Sequence, residues 1–220
     1  RATYGYDDRF FGELNFGYNG SEKFAEDYRF GFFPSAGLGW ILSNESFFSN
    51  WAPFVSLFKL KYTYGLVGND NIADRDDRFF YLSDVNLNDG GRGYAWGEDY
   101  GNYYDGYNIN RYSNPNVTWE VAKKTNYGLE LELLNALVIQ VDYFTENREK
   151  IYESRPVFPD TAGLTTVVSS NTGKVKSNGF DVAIDYNKSF SNDFFITGRG
   201  TFTYATNKVV VRNEPQYAYD

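Results

Sequence analysis

The stretch TNYGLELELLNALVIQVDYFTEN (Thr125–Asn147) alternates between apolar and polar residues almost without a break. It pauses once, at Leu134–Ala136, and then the alternation resumes. Because successive side chains of a strand point to opposite faces, the stretch predicts a β-hairpin with one apolar and one polar face. The apolar face carries Tyr127, Leu129, Leu131, Leu133, Leu137, Ile139, Val141 and Tyr143. The polar face carries Glu130, Glu132, Gln140 and Asp142.

The same two-residue period recurs along the chain, whereas no apolar helical face of three turns is found. It predicts seven strands, at about Arg9–Asn19, Phe30–Leu42, Leu57–Val67, Thr118–Leu134, Ala136–Glu146, Ser177–Lys188 and Asp193–Ala205. Pro34 falls inside the second strand and lacks the N–H needed for a ladder hydrogen bond, so we expect a bulge or an interrupted pairing there.

Composition excludes several classes of function. The chain has 220 residues and a formal net charge of −8, and its pI near 4.7 argues against nucleic acid as a partner. It contains neither cysteine nor histidine, which removes disulfides, thiolate chemistry and the usual general base. No apolar run of about 18 residues is present, so the sequence predicts no membrane-spanning helix. Because it does not begin with Met, we interpret it as part of a larger protein.

Strand length and loop length suggest where the apolar face lies. The predicted strands are longer than the ~5–6 residues usual in globular sheets and match the ~9–11 that a tilted membrane strand needs. The connections Ser43–Ser56, Leu134–Ala136 and Lys188–Asn192 are comparatively short, whereas Gly68–Val117 and Asn147–Lys176 are long. This asymmetry favours a transmembrane barrel with lipid outside and water inside. A soluble antiparallel sandwich, which also alternates, remains the alternative.

In such a barrel, Tyr and Trp collect where the wall meets the lipid headgroups. The candidates for these aromatic belts are Trp40, Trp51, Trp119, Tyr143 and Tyr186.

Four segments resemble the C-terminal barrel of the SusC/RagA-like TonB-dependent outer-membrane transporters. They are YDDRFFGELNFGYNGSEKFAEDYRFGFFPSAGLGWILSNESFF (Tyr6–Phe48), KLKYTYGLVGNDNI (Lys59–Ile72), NPNVTWEVAKKTNYGLELELLN (Asn114–Asn135) and NTGKVKSNGFDVAIDY (Asn171–Tyr186). One such motif would be a weak signal, but four in the family's order and spacing are specific.

The resemblance implies an all-β fold: an antiparallel fragment of about seven or eight strands from a 22-stranded transmembrane barrel. Residues 1–220 would form its C-terminal portion, and nothing in the chain matches the family's plug domain or TonB box. The implied partners are a SusD-like lipoprotein lid, TonB acting through the missing N-terminal part, and the lipid of a Gram-negative outer membrane. The implied cargo is oligosaccharide or peptide, and the short connections become periplasmic turns.

The stretch YAWGEDYGNYYDGYNINRY (Tyr94–Tyr112) is the candidate for contact with cargo or with the lid. Aromatic faces stack on sugar rings, and neighbouring Asp and Asn side chains can hydrogen-bond to hydroxyl groups. The candidate residues are Tyr94, Trp96, Tyr100, Tyr103, Tyr104 and Tyr107. The structural alternative is an aromatic loop that folds on itself.

No catalytic residues are assigned, and we expect a protein that is not an enzyme and has no cofactor. Carboxylates cluster at Asp70, Asp74, Asp76 and Asp77, a weak Ca²⁺ candidate whose spacing does not fit the calcium-loop pattern. The lumen-facing charges follow strand alternation, and we expect them to pair with each other or with the plug. The leading prediction is gated nutrient import; the alternatives are a soluble β-sandwich carbohydrate-binding module or a surface adhesin.

Overall fold

Regular structure in the computed structural model, which describes residues 1–72, 77–155, 160–191 and 193–214, is almost entirely β-strand. The strands are β1 (Ala2–Tyr6), β2 (Phe10–Gly20), β3 (Phe30–Ile41), β4 (Val55–Asn69), β5 (Asp84–Trp96), β6 (Asn102–Arg111), β7 (Glu120–Leu133), β8 (Leu137–Ser154), β9 (Ser169–Ser189) and β10 (Phe195–Val211). One short helix, α1 (Ser46–Trp51), lies between β3 and β4. Within the described ranges, no helix is long and apolar enough to cross a membrane.

Eight strands form one antiparallel sheet, in the order β1-β2-β3-β4-β7-β8-β9-β10. Each strand pairs with its neighbour in sequence, except that the separate hairpin β5-β6 is inserted between β4 and β7. The predicted all-β antiparallel fragment of seven or eight strands is confirmed. We refer to the eight-stranded sheet as the wall and to β5-β6 as the arm.

The predicted hairpin at the centre of the sequence is confirmed. Leu134 and Asn135 have φ of 53° and 50°, and Ala136 N donates a hydrogen bond to Leu133 O at 3.0 Å. Two consecutive residues with positive φ give a turn whose twist matches that of the flanking strands. The register then runs without a shift from Leu133↔Leu137 to Val121↔Glu149.

All seven predicted strands are present, and their ends at the short-turn side are correct to within two residues. The ends at the long-loop side were wrong for the last three strands. The predicted loop Asn147–Lys176 is mostly strand, because β8 continues to Ser154 and β9 starts at Ser169. Both faces are polar in this region, so polarity stops alternating although the backbone hydrogen bonds continue.

The long polar connection predicted at Gly68–Val117 contains a hairpin of its own, the arm, which was not predicted. β5 carries the run LNDGGRG (Leu87–Gly93), whose glycines and polar residues hide a strand period. Its register against β6 shifts at three places, which accounts for the missing alternation. Strand β1 was not predicted either.

Pro34 interrupts pairing on one side of β3 only. The register with β2 is continuous through Phe16↔Pro34, so the expected bulge is absent on that side. On the other side, pairing with β4 reaches Ser35↔Gly65 and stops. Because proline cannot donate a hydrogen bond, β3 separates from β4 above this point.

A buried cluster of Phe24, Phe80, Val117 and Trp119 lies at the end of the wall where β3 has left β4. Phe24 and Val117 are 0% and 1% exposed, and the ring of Phe33 packs edge-on against Trp119 with centroids 5.3 Å apart. Trp119 Nε1 also donates a hydrogen bond to Arg29 O at 3.3 Å. The prediction that Trp119 belongs to an aromatic belt was therefore wrong, since it is buried in this cluster.

We predict that Gly68→Ala destabilises the protein by about 1–3 kcal/mol, the usual cost of overpacking. A Cβ at Gly68 would lie 1.9 Å from Phe33 Cζ, and Phe33 cannot move without leaving Trp119. The thermal unfolding midpoint in detergent measures the effect. Gly12→Ala is the matched control because nothing lies within 4 Å of its added Cβ. Equal midpoints for both variants would contradict the role given to the cluster.

Candidate functional site

One face of the wall is a continuous apolar surface. Register pairs place Leu60, Leu129, Val141, Val182 and Phe202 in one row across β4, β7, β8, β9 and β10. Phe16 and Leu38 on the same face are 66% and 63% exposed. A soluble monomer rarely exposes so extended an apolar patch, so this face requires a nonaqueous or protein partner.

This apolar band crosses the strands obliquely. In β2 it runs from Phe10 to Tyr18, and Phe10 is in the register row that ends at Phe202 in β10. In β10 the band runs from Ile196 to Tyr204. Its lower limit therefore lies six residues below Phe202, the register equivalent of Phe10. Its upper limit lies two residues above Phe202, whereas in β2 it lies eight residues above Phe10, so both limits are six residues lower after the six strand pairs from β2 to β10. The fall is uneven, because the upper limit stays in one register row from β7 to β10, at Tyr127, Tyr143, Phe180 and Tyr204. An apolar band on one face of long antiparallel strands is what the lipid-facing side of a transmembrane barrel presents.

A row of aromatic residues bounds the band towards the long loops on β7–β10 and continues onto β4 at Tyr62, where the apolar face extends further, to Tyr64 and Leu66. Its members are register partners: Tyr62, Tyr127, Tyr143, Phe180 and Tyr204. The ring centroids of three adjacent pairs, Tyr62–Tyr127, Tyr127–Tyr143 and Phe180–Tyr204, lie 5.1 to 6.4 Å apart. Two residues further along β7–β10 the same face turns polar, at Thr125, Thr145, Asn178 and Thr206. Tyr143, a predicted belt residue, is thus placed at an apolar–polar boundary. We call this set the aromatic row.

The opposite face of the wall is polar, and its charges pair with each other as expected. Lys61 lies 3.7 Å from Glu130, and Lys124 lies 3.3 Å from Glu146. Arg199 and Asp185 are 3.4 Å apart on β10 and β9. These pairs line one face only, as in a wall with water on its inner side.

Two carboxylates on this face lie on neighbouring strands. Asp142 is opposite Asp181 in the register and accepts a hydrogen bond from Asn126 Nδ2 at 2.9 Å. In the part of the chain that the structure describes, no group of three or more acidic, His or Cys side chains could hold a metal ion. For the predicted Ca²⁺ site, Asp74 and Asp76 lie outside the described residues, and Asp77 forms an ion pair with Arg111 instead.

The six predicted aromatic site residues all lie on the arm, and all are more than half exposed. The structure does not bring them together on one surface. Tyr94 is opposite Tyr104 in the register, and Tyr94 and Trp96 are in edge-on contact with centroids 4.9 Å apart. Tyr103 is opposite Ala95, so it belongs to the other face, and Tyr107, four residues further along β6, shares that face by alternation. Tyr100 is at the turn, with φ of 52°.

The base of the arm is held by Arg111, a residue that the sequence did not single out. Its guanidinium group lies 2.7 Å from Asp77 Oδ2 and 4.3 Å from the centroid of the Phe80 ring. Its Nε donates a further hydrogen bond to Leu82 O. Because Phe80 belongs to the buried cluster, Arg111 fixes the arm to the wall. The partner Asp77 is 34 residues away in sequence, so no local pattern could have revealed this contact.

No family model matches the chain. A TonB-dependent receptor, P39, from Formosa agariphila is 26% identical over 96% of this chain and 19% of its own length. The TonB-dependent receptor SusC from Bacteroides thetaiotaomicron is 26% identical over 88% of this chain and 18% of its own length. The chain therefore spans about a fifth of the length of these relatives.

Solved structures give the same result for the fold. The RagAB peptide importer in its closed-closed state matches with a TM-score of 0.74 and 22% identity, over 94% of this chain and 21% of the matched chain. The open-open state of the same importer matches with a TM-score of 0.75, over 96% of this chain and 21% of the matched chain. The oblique apolar band and the polar inner face thus define one class, a piece of a transmembrane β-barrel wall.

The resemblance seen in the sequence is confirmed: the chain is similar to part of several TonB-dependent receptors, SusC among them, and shares its fold with part of the RagAB structures. The relatives are named as receptors and importers rather than as enzymes.

We predict that arginine is costly on the apolar face and tolerated on the polar one. Leu131→Arg or Ile139→Arg should destabilise the protein in vesicles by roughly 2–4 kcal/mol, because a charge near the bilayer midplane loses its hydration. Gln140→Arg, one residue along β8, is the matched control and should cost less than about 1 kcal/mol. Denaturant unfolding measures these differences, and equal tolerance at the three positions would show that the faces are wrongly assigned.

Proposed function

We propose that the protein containing this chain is a TonB-dependent importer in the outer membrane of a Gram-negative bacterium. The observation that carries the proposal is the apolar band, which runs across the wall from β2 to β10 on one face and leaves residues such as Phe16 and Leu38 more than 60% exposed. The similarity to TonB-dependent receptors over nearly the whole chain supports the same reading. The wall contributes a polar inner face to the passage and an apolar outer face to the bilayer.

Energy and gating in this proposal come from outside the chain. TonB would act through an N-terminal part with a plug, and a SusD-like lipoprotein would close over the barrel at the long-loop end. Support comes from the relatives, since one is SusC itself and another is a component of the two-protein RagAB importer. The chain's own contribution would be the arm, which projects from the same end of the wall.

For the cargo we propose an oligosaccharide or a peptide, contacted by one face of the arm. Tyr94, Trp96 and Tyr104 share a face and leave most of their ring surface free. Tyr103 and Tyr107 lie on the reverse face and would contact the lid. One hairpin would then contact cargo through one face and the lid through the other. Aromatic contacts of this kind are worth about 0.5–1.5 kcal/mol each.

Transport is tested by uptake of labelled oligosaccharides and peptides in cells that carry the complete protein and its lipoprotein partner. We expect accumulation that disappears when TonB is deleted. Binding to cells without TonB-dependent accumulation would favour an adhesin instead. A protein that stays monomeric in buffer without detergent would favour the soluble sandwich, because the apolar band would then have to be covered by protein.

The role of the arm is tested with Trp96→Ala. Loss of one stacking contact should weaken cargo affinity by up to roughly tenfold, which a binding titration on purified complex measures. Phe47→Ala is the control, since Phe47 is 61% exposed but lies in α1, at the short-turn end of the wall. If both variants bind cargo with equal affinity, Trp96 of the arm does not contribute to cargo binding.

A further inference from the structure

Three lysines form a row on the outer face of the wall, beyond the aromatic row. Lys123, Lys176 and Lys208 occupy one register row on β7, β9 and β10, with Asn147 of β8 between the first two. Each lysine is four residues from a member of the aromatic row on its own strand, namely Tyr127, Phe180 or Tyr204. Because four is an even spacing, the lysines share the face of the apolar band.

Two further lysines enlarge this row into a patch. Lys174 is two residues beyond Lys176 on β9 and is exposed, and Lys150 sits at the register shift of β8 with φ of 57°. Glu149 is the acidic residue among them: Lys123 Nζ lies 2.8 Å from its carboxylate. That hydrogen bond, aided by the charges of Lys174 and Lys150, lowers the pKa of Glu149. We call these five lysines the lysine patch; it carries a clear excess of positive charge.

Of the five lysines in the patch, only Lys123 forms an ion pair with a carboxylate within the described ranges. In the same ranges, Lys176 and Lys208 are both exposed and unpaired, and they lie in the same row as Lys123. They are register partners, so their ammonium groups are neighbours on the same face. Like charges directly opposite each other destabilise a sheet, and an anion between them would relieve the repulsion.

The height of the patch fits the headgroup layer of a bilayer. Four residues span roughly 13 Å along a strand, or about 11 Å along the membrane normal at a tilt of about 35°. Headgroup regions extend ~5–8 Å beyond the hydrocarbon, and a lysine stem can bend several ångströms towards them. A lipid whose chains cover the band would therefore place its headgroup beneath the ammonium groups.

We propose that the lysine patch is a docking surface for a membrane lipid whose phosphate-bearing headgroup carries a net negative charge. The inference rests on the membrane placement proposed above and adds a defined lipid contact to it. Charge complementarity selects an anionic occupant, and the position of the patch on the same face as the apolar band, one polar row beyond the aromatic row, selects a lipid. Phosphate oxygens would accept hydrogen bonds from Lys176 and Lys208, with Lys123 and Lys174 at the sides.

The test uses the complete protein, extracted in mild detergent and titrated with phosphatidylglycerol, with bound lipid counted by native mass spectrometry. Each lysine near an anionic surface is worth about a fivefold factor in affinity. The double variant Lys176→Gln/Lys208→Gln should therefore bind roughly 25-fold more weakly. The double variant Lys59→Gln/Lys61→Gln removes the same charge from the inner face and should bind as the parent does. Lys176→Arg/Lys208→Arg should retain binding.

Phosphatidylcholine should bind far more weakly than phosphatidylglycerol, and inorganic phosphate at the same concentration should not compete. Equal binding by the Gln variant and the parent, or full displacement by inorganic phosphate, would overturn the lipid proposal while leaving the importer proposal intact. A protein that partitions into buffer without detergent would refute the membrane placement and the lipid contact together.

Discussion

The wall depends on the pairing of backbone N–H and C=O groups between neighbouring strands. Inside hydrocarbon no water can take the place of a missing partner, so a strand survives there only within a closed ladder. From β2 to β10 the register shifts lie near strand ends or beyond the aromatic row, and the one interrupted ladder of the described wall is β3–β4, which pairs only from Ser35↔Gly65 to Ile41↔Lys59. Strands β1 and β10 form the two edges of the described sheet, and in the proposed barrel they pair with strands outside this chain.

Continuous pairing frees the side chains to serve two solvents. Alternation places one set of side chains against lipid and the other set against a water-filled interior. Outside, stacked rings such as Tyr18 and Phe30, 5.2 Å apart, replace contacts with water. Inside, ion pairs such as Lys61–Glu130 keep the charges compensated. The ladder between β3 and β4 opens at Pro34, within β3, and the cluster around Trp119 lies at that end of the wall.

Most strands of the wall were predictable from the sequence, because polarity alternates wherever one face of a strand meets lipid and the other meets water. The strands around Thr125–Asn147 and their turn at Leu134 and Asn135 follow from polarity alone. Prediction failed wherever both faces are wet: the loop-side halves of β8 and β9, the glycine-rich β5, and the lysine patch beyond the predicted strand ends. It also failed at Trp119 and Arg111, whose partners Phe33 and Asp77 are distant in sequence. Following the alternation four residues beyond Tyr127 and Phe180 would have found Lys123 and Lys176.

The central claim is that the apolar face of the wall meets lipid while the other face meets water. Spin labels placed one at a time along residues 137–143 of β8, in the complete protein in bilayers, test it most directly, since this chain contains no cysteine to interfere. The account predicts that accessibility to oxygen peaks at residues 137, 139, 141 and 143, and that accessibility to a polar nickel chelate peaks at 138, 140 and 142. Accessibility without a two-residue period, or nickel access at Ile139 and Val141, would contradict it.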